Sequence, residues 1–272
     1  MNEIFFSLSL AGLLGLIVGS FLNVVIYRLP RMMEAQWQPE SDGKVDEWAS
    51  YNLAFPASHC PHCAHPLGWR ENIPVLGFLW LKGRCAHCQT PISWRYPAVE
   101  LITALLFVGV FAQHGWGYTA AAWAGFSAAL VALAAIDADT TLLPDAITQP
   151  LTWAGLVGAS LGLTGTTLNH ALWGASVGYL FLWSVYWLFK IVTGKEGMGQ
   201  GDFKLLAALG AWLGLPALLS LVMIASLTGV AGGVVLRLRA QLSENGQLPF
   251  GPFLVLAGFW VMAFGPLPWF HI

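Results

Sequence analysis

Residues 203–236 read FKLLAALGAWLGLPALLSLVMIASLTGVAGGVVL, a 34-residue apolar run broken only by Lys204 near its start and by Gly214-Leu215-Pro216. A helical membrane span needs ~20 apolar residues. The run is therefore too long for one span and tight for two, and the Gly-Leu-Pro break supplies the turn that a second helix requires. Working outward, apolar stretches occupy residues 4–27, 98–111, 118–136, 147–163 and 171–191 before the run and 250–264 after it, which makes eight spans. Composition agrees. The chain of 272 residues is 57% hydrophobic and 10% charged, with a mean hydropathy of +0.65, whereas a soluble domain carries about 25% charged residues. The sequence is thus read as an all-α polytopic membrane protein of about eight transmembrane helices in a lipid bilayer, and disorder, collagen and coiled coil are excluded.

The basic residues test that count. All 12 Lys and Arg fall in the segments before the second span (Arg28, Arg31, Lys44, Arg70, Lys82, Arg84, Arg95), between the fifth and the sixth (Lys190, Lys195, Lys204) and before the last (Arg237, Arg239). With eight spans these segments share one face of the membrane, and the loops near Gly115, Thr164 and Leu215 hold none. The positive-inside rule makes the basic face cytoplasmic and sends both termini to the opposite side. Seven spans would break this asymmetry. The net charge of −2 and the absence of any long basic run exclude a nucleic-acid partner. Residues 4–27 follow Glu3 rather than a basic segment and precede Arg28 and Arg31, so they are read as a retained first span and not as a cleaved signal. The expected organisation is a first helix at 1–27, a small cytosolic module at 28–97 and a transmembrane domain at 98–272. The remaining polar residues inside spans, such as Asn23 and Gln149, are expected to bond between helices.

The module carries every cysteine. Cys60-Pro-His-Cys63 and Cys85-Ala-His-Cys88 are two C-x-x-C pairs at a spacing that lets two turns grip one tetrahedral ion. Four thiolates would close the coordination shell around a structural zinc. Disulfides or a redox pair are the competing readings, but a cytosolic placement keeps thiols reduced and a redox motif would not occur twice. His59, His62, His65 and His87 crowd the pairs, which leaves a mixed His and Cys site open. No H-E-x-x-H stretch supports a catalytic zinc.

Ionisable groups at membrane depth are costly and point to function. Asp137, Asp139 and Asp145 lie directly after the third span, and Asp202 lies in Gly199-Gln-Gly-Asp202 directly before the sixth. The Asp-rich loop contains no Lys or Arg to neutralise it. Two carboxylates sharing a proton can hydrolyse a peptide bond: one takes a proton from water, the other gives one to the carbonyl oxygen. The bland reading is that Asp137 ends a helix and Asp202 caps the next.

The run Gly197-Met-Gly-Gln-Gly-Asp202-Phe-Lys204 through Trp212, together with Asp137 seven residues before Pro144, resembles the type 4 prepilin peptidases, a family of G-x-G-D aspartyl proteases. Gly19-Ser-Phe-Leu-Asn-Val-Val-Ile-Tyr-Arg-Leu-Pro30, the cysteine pairs, and the stretch from Glu71-Asn-Ile-Pro74 to Arg95-Tyr-Pro97 resemble the family's amino-terminal module. The likeness covers residues 11–265 in order. It implies an enzyme of the bacterial inner membrane that removes the basic leader of type IV prepilins or type II secretion pseudopilins on the cytoplasmic side and then N-methylates the new terminus from S-adenosylmethionine. By position, the resemblance makes Asp137 and Asp202 the protease pair. Asp139 and Asp145 match acidic positions of the same loop without an essential role, and Glu71 stands where many relatives have Asp. Helix dipoles favour Asp202, at a helix start, as the ionised base over Asp137, at a helix end. No S-adenosylmethionine-binding loop is legible, beyond a suspicion attached to the module and Glu71. The sequence does not specify an oligomeric state, nor whether the substrate is a pilin or a pseudopilin.

Two rivals remain. Gly174-Ala-Ser176-Val-Gly178 matches G-x-S-x-G, but a nucleophile elbow needs a strand-to-helix turn, and this stretch reads as a helix with a small-residue packing face. A transporter could use the membrane-edge Asp residues as a proton relay.

Overall fold

The computed structural model describes residues 2–37, 51–195, 197–238 and 249–268. Lys44 and Arg239, two of the residues used for the topology above, lie outside this set. The described residues form helices α1 (Asn2–Trp37), α2 (Leu76–Trp80), α3 (Arg95–His114), α4 (Tyr118–Thr140), α5 (Asp145–Ser160), α6 (Leu168–Thr193), α7 (Gln200–Leu213), α8 (Leu218–Leu238) and α9 (Gly251–Phe264), with a 3-10 turn at Leu215–Ala217. The chain divides into two compact units, Met1–Ala132 and Leu133–Ile272, with the boundary inside α4.

Each of the eight apolar stretches becomes a helix, and among the described residues five helices are long and apolar enough to cross a membrane: α1, α3, α4, α6 and the helix at Leu215–Val235. The others, α5, α7 and α9, are only 16, 14 and 14 residues long. Only 17% of the apolar window of α6 is buried within the chain. Its outward Trp173, Leu180, Phe181 and Leu188 would be an insoluble patch in water, and lipid is the solvent that suits them. The long run breaks where the sequence breaks. Gly214 ends α7 at a φ of 82°, a conformation that glycine adopts without steric cost.

In unit 1, α1 packs along α3. A Cβ on Gly15 would sit 2.6 Å from the Ala104 Cα, and one on Gly19 would sit 2.6 Å from the Glu100 Cα. The two helices therefore touch through backbone, as small residues in membrane helices allow. The Asn23 amide donates across this seam to the Tyr96 carbonyl (3.0 Å), which is the interhelical bond expected of it. Gln149 instead donates to Asp145 within its own helix (3.3 Å), because four residues place the two side chains on one face. α1 also runs ten residues beyond the apolar stretch that ends at Tyr27. Hydropathy marks where lipid ends, whereas good helix formers such as Met32, Met33, Glu34, Ala35 and Gln36 carry the helix onward.

In unit 2, α7 is the central element, packed against α5, α6 and α9 and buried from Asp202 to Trp212 except at Lys204. Trp212 donates its indole N–H to the Leu151 carbonyl of α5 (2.8 Å). The G-x-S-x-G stretch lies inside α6, with Ser176 exposed. A Cβ on Gly174 would overlap the Gly210 carbonyl, and one on Gly178 would sit 3.0 Å from the Leu206 carbonyl. These glycines set the α6–α7 contact, as the packing reading required. Gly174→Leu is expected to cost about 3 kcal/mol through overpacking, read as a fall in melting temperature of the detergent-solubilised protein.

Candidate active site

Asp137 lies in the last turn of α4, which stops where the Thr141 amide bonds back to the Asp137 carbonyl (2.8 Å) and Thr141 takes a φ of 55°. Its side chain is 4% exposed, and one carboxylate oxygen, Oδ2, accepts a hydrogen bond from the Gly251 amide (2.9 Å). Asp202, the third residue of α7, is 5% exposed. Its Oδ1 accepts no hydrogen bond from the described residues. The two carboxyls belong to one unit and lie near enough for the charge of Asp137 to act on Asp202. Neither is ion-paired with a described Lys or Arg. A buried, uncompensated carboxylate costs several kcal/mol, so two of them, one within the field of the other, are a poor way to end one helix and begin another. That cost is reduced when they share a proton.

Two clamps bring the Asp137 loop to the start of α7. A Cβ on Gly201 would fall 2.6 Å from the Leu143 Cβ, so the second glycine of G-x-G-D is the contact surface for the loop. Lys204 donates to both oxygens of Asp145 (2.6 and 2.8 Å). The loop is therefore not left without a neutralising cation: its partner lies 59 residues further along the chain. Asp139 is exposed. Of the four sequence candidates, Asp137 and Asp202 are buried together, Asp145 serves as a tether, and Asp139 faces outward.

Gly251 is the residue that sequence reasoning missed. It opens α9, and its amide reaches Asp137 across 114 positions. Glycine between Pro249-Phe250 and Pro252-Phe253 was the available signal, since a glycine flanked by prolines marks a constrained backbone. Its amide also alters the dipole argument. Asp137 receives the amino end of α9 just as Asp202 sits in the amino end of α7, so the dipoles no longer separate the two. A Cβ on Gly251 would lie 2.7 Å from Oδ2 of Asp137. Gly251→Ala is expected to lower peptide-bond cleavage about 100-fold, the scale of an ångström's misplacement at a reacting centre, with the initial rate on a substrate peptide as the readout.

In unit 1 the four thiols lie within 4.8 Å of one another. Cys60 and Cys88 are 3.8 Å apart at sulfur, and Cys63 and Cys85 are 3.9 Å apart. A disulfide would need ~2.05 Å, whereas a tetrahedron with metal–sulfur bonds of ~2.3 Å has edges of ~3.8 Å. The donor set fits zinc. Both pairs sit on the same turn: the Cys60 amide bonds to the His65 carbonyl and the Ala64 amide to Cys60, just as Cys85 bonds to Thr90 and Gln89 to Cys85. Ala64 and Gln89 both take positive φ. Cys88 is held down to about 6, first by its hydrogen bond with the Thr90 hydroxyl and then by the Thr90 backbone. Cys63 is pushed up to about 12: its backbone bond with His65 opposes the rise, but burial and the other three sulfurs overcome it. Four crowded thiolates repel one another, and a cation at their centre reverses that repulsion. Among the described histidines, none is needed to complete the set.

Comparison with known proteins places these two sites in one context. Residues 13–114 match the bacterial peptidase A24 N-terminal domain, and residues 124–234 match the type IV leader peptidase family. A protein of Aeromonas hydrophila named prepilin leader peptidase/N-methyltransferase is 52% identical over 269 residues, covering 94% of this chain and 90% of its own length. Proteins of the same name from Pseudomonas aeruginosa (48% identical, 93% and 89% covered) and Burkholderia pseudomallei (49%, 95% and 85%) are similar throughout. No solved structure matches the chain.

Proposed function

Because the chain belongs to the type IV leader peptidase family, we propose that it cleaves the basic leader from type IV prepilins or type II secretion pseudopilins and then methylates the new amino terminus. The observation that carries the protease half is the burial of Asp137 and Asp202 together in one unit. In this mechanism one carboxylate takes a proton from water as it adds to the scissile carbonyl carbon, and the other carboxyl gives its proton to the carbonyl oxygen. The proton then passes to the amine nitrogen as the C–N bond breaks. Leu143 on Gly201 and Lys204 on Asp145 hold the two chain segments in register, and the Gly251 amide fixes the orientation of Asp137.

S-adenosylmethionine, when bound, would supply the methyl group for the new amino terminus. Cys60, Cys63, Cys85 and Cys88 would hold zinc as a closed structural site, fixing the two turns and taking no part in either reaction. The one-sided distribution of Lys and Arg supports a multi-pass arrangement with the catalytic aspartates at the cytoplasmic face and both termini in the periplasm. The proton-relay transporter is not supported, since both halves of the chain match peptidase models. Incubating the purified full chain with a prepilin peptide and recording product mass tests the reading: leader loss without S-adenosylmethionine, and one added methyl group with it. An uncleaved peptide would refute the proposal.

A further inference from the structure

A cavity of about 390 Å³ opens in unit 1 where α1, the start of α3 and the four-cysteine module meet. Pockets that enclose small organic ligands span ~300–1,000 Å³. Its polar lining includes three side chains with acceptor oxygens, Asn23, Glu71 and Glu100. Asn23 is 6% exposed and lines the cavity; its amide nitrogen is committed to the Tyr96 carbonyl, which fixes the amide orientation, and its Oδ1 accepts no hydrogen bond from the described residues. A buried acceptor left unmet costs about 1–3 kcal/mol, a cost that a donor-bearing ligand removes. Glu100, 8% exposed, lines the same space and accepts from the Val75 amide (2.7 Å). Val75 holds a φ of 59°, uncommon for a β-branched residue, in the position that presents this amide. Glu71 adds a second carboxylate to the lining; its Oε2 accepts from the Gly68 amide (2.8 Å) and lies 3.8 Å from the His65 ring, which leaves Oε1 for a ligand.

The guanidinium in the lining is turned toward backbone carbonyls. Arg28 turns one terminal nitrogen to the Asn52 carbonyl (2.9 Å) and the other to the Pro56 carbonyl (2.8 Å). The rings of Tyr27, Tyr51, Phe78 and Tyr96 also line it, and the Arg31 guanidinium already stacks 3.8 Å from the centroid of Tyr27. Two carboxylates, one unmet amide oxygen and aromatic faces select a cationic, amine-bearing ligand with a flat ring system. We propose that this cavity is where S-adenosylmethionine binds, with Asn23 Oδ1 accepting from one of its amines and Glu100 and Glu71 facing its sulfonium and ammonium charges. The assignment rests on the methyltransferase half of the reading above and adds its location.

The test uses the full chain in detergent, photolabelled with an azido analogue of S-adenosylmethionine, alongside calorimetric titration with S-adenosylmethionine itself. Label is expected on residues 20–28, 51–67 or 71–100, which line the cavity, and Asn23→Leu is expected to weaken binding about tenfold or more, the loss of one hydrogen bond to a charged donor. Glu100→Gln, which keeps an acceptor but removes the charge, is expected to lower affinity for S-adenosylmethionine more than for its neutral product S-adenosylhomocysteine. Label confined to other residues, or unchanged affinity in both variants, overturns the placement. Should Asn23→Leu fail to fold, the label position on the unaltered chain decides. If the unaltered chain methylates a cleaved peptide but labels elsewhere, only the location fails; if it neither binds nor methylates, the methyltransferase reading fails with it.

Discussion

Asp202→Asn is expected to reduce leader cleavage by about 10³- to 10⁴-fold, and Asp137→Asn to do the same, because an amide neither takes a proton from water nor gives one to a carbonyl oxygen. Asparagine has nearly the same shape, so the packing of α7 between α5, α6 and α9 is retained. Replacing a buried, unpaired carboxylate by a neutral group is neutral or stabilising. The Asp202→Asn protein is therefore expected to melt at or above the temperature of the parent chain while losing its activity. At Asp137 the carboxamide oxygen can still accept from the Gly251 amide, so orientation survives and only proton transfer is lost. The two readouts, cleavage rate by product mass and melting in the same detergent, separate chemistry from folding. A variant that kept a rate within tenfold of the parent would exclude the shared-proton mechanism. The double variant is expected to be no worse than either single one, since the members of a catalytic unit do not add.

What the sequence made legible follows from where the information sits. The break at Gly214 and the α6–α7 packing glycines are local or periodic features, and both were readable from residues close together in the chain. Asp137 and Asp202 were readable because a carboxylate in an apolar setting is conspicuous wherever its partner lies. The Gly251 amide was not, because a backbone donor leaves no residue-type signature and its contact spans 114 positions. Lys204 was counted as part of a basic segment, and nothing in its neighbours tied it to Asp145. The ten helical residues after Tyr27 were hidden for a different reason: an apolar count locates lipid, not hydrogen bonding. The cavity beside Asn23 belongs to the same class as Gly251, since it exists only once α1, α3 and the module converge.

The cysteine cluster leads to the second large effect. The full chain purified without chelator is expected to carry one zinc ion, and Cys85→Ala is expected to abolish stoichiometric binding, measured by elemental analysis. A structural zinc is worth about 10–16 kcal/mol of folding free energy in small domains, and the 51–94 region has little else to hold it. Among the described residues its one helix is five residues long, its β-pairing is limited to the isolated bridges His59–Pro66 and Arg84–Pro91, and Trp69, Trp80 and Trp94 are exposed. Ion removal should therefore unfold this region first, seen as rapid trypsin cleavage after Arg70, Lys82 and Arg84 in the variant and slow cleavage in the parent. The cavity is walled in part by Cys60 and Cys85, so methylation should be lost with the ion. In the proposed mechanism peptide-bond cleavage draws its acid and base from unit 2, so it provides the internal control. Retained stoichiometric zinc after the loss of Cys85 would mean that a histidine such as His65 or His87 serves as a ligand, and the four-thiolate assignment would give way to a mixed one.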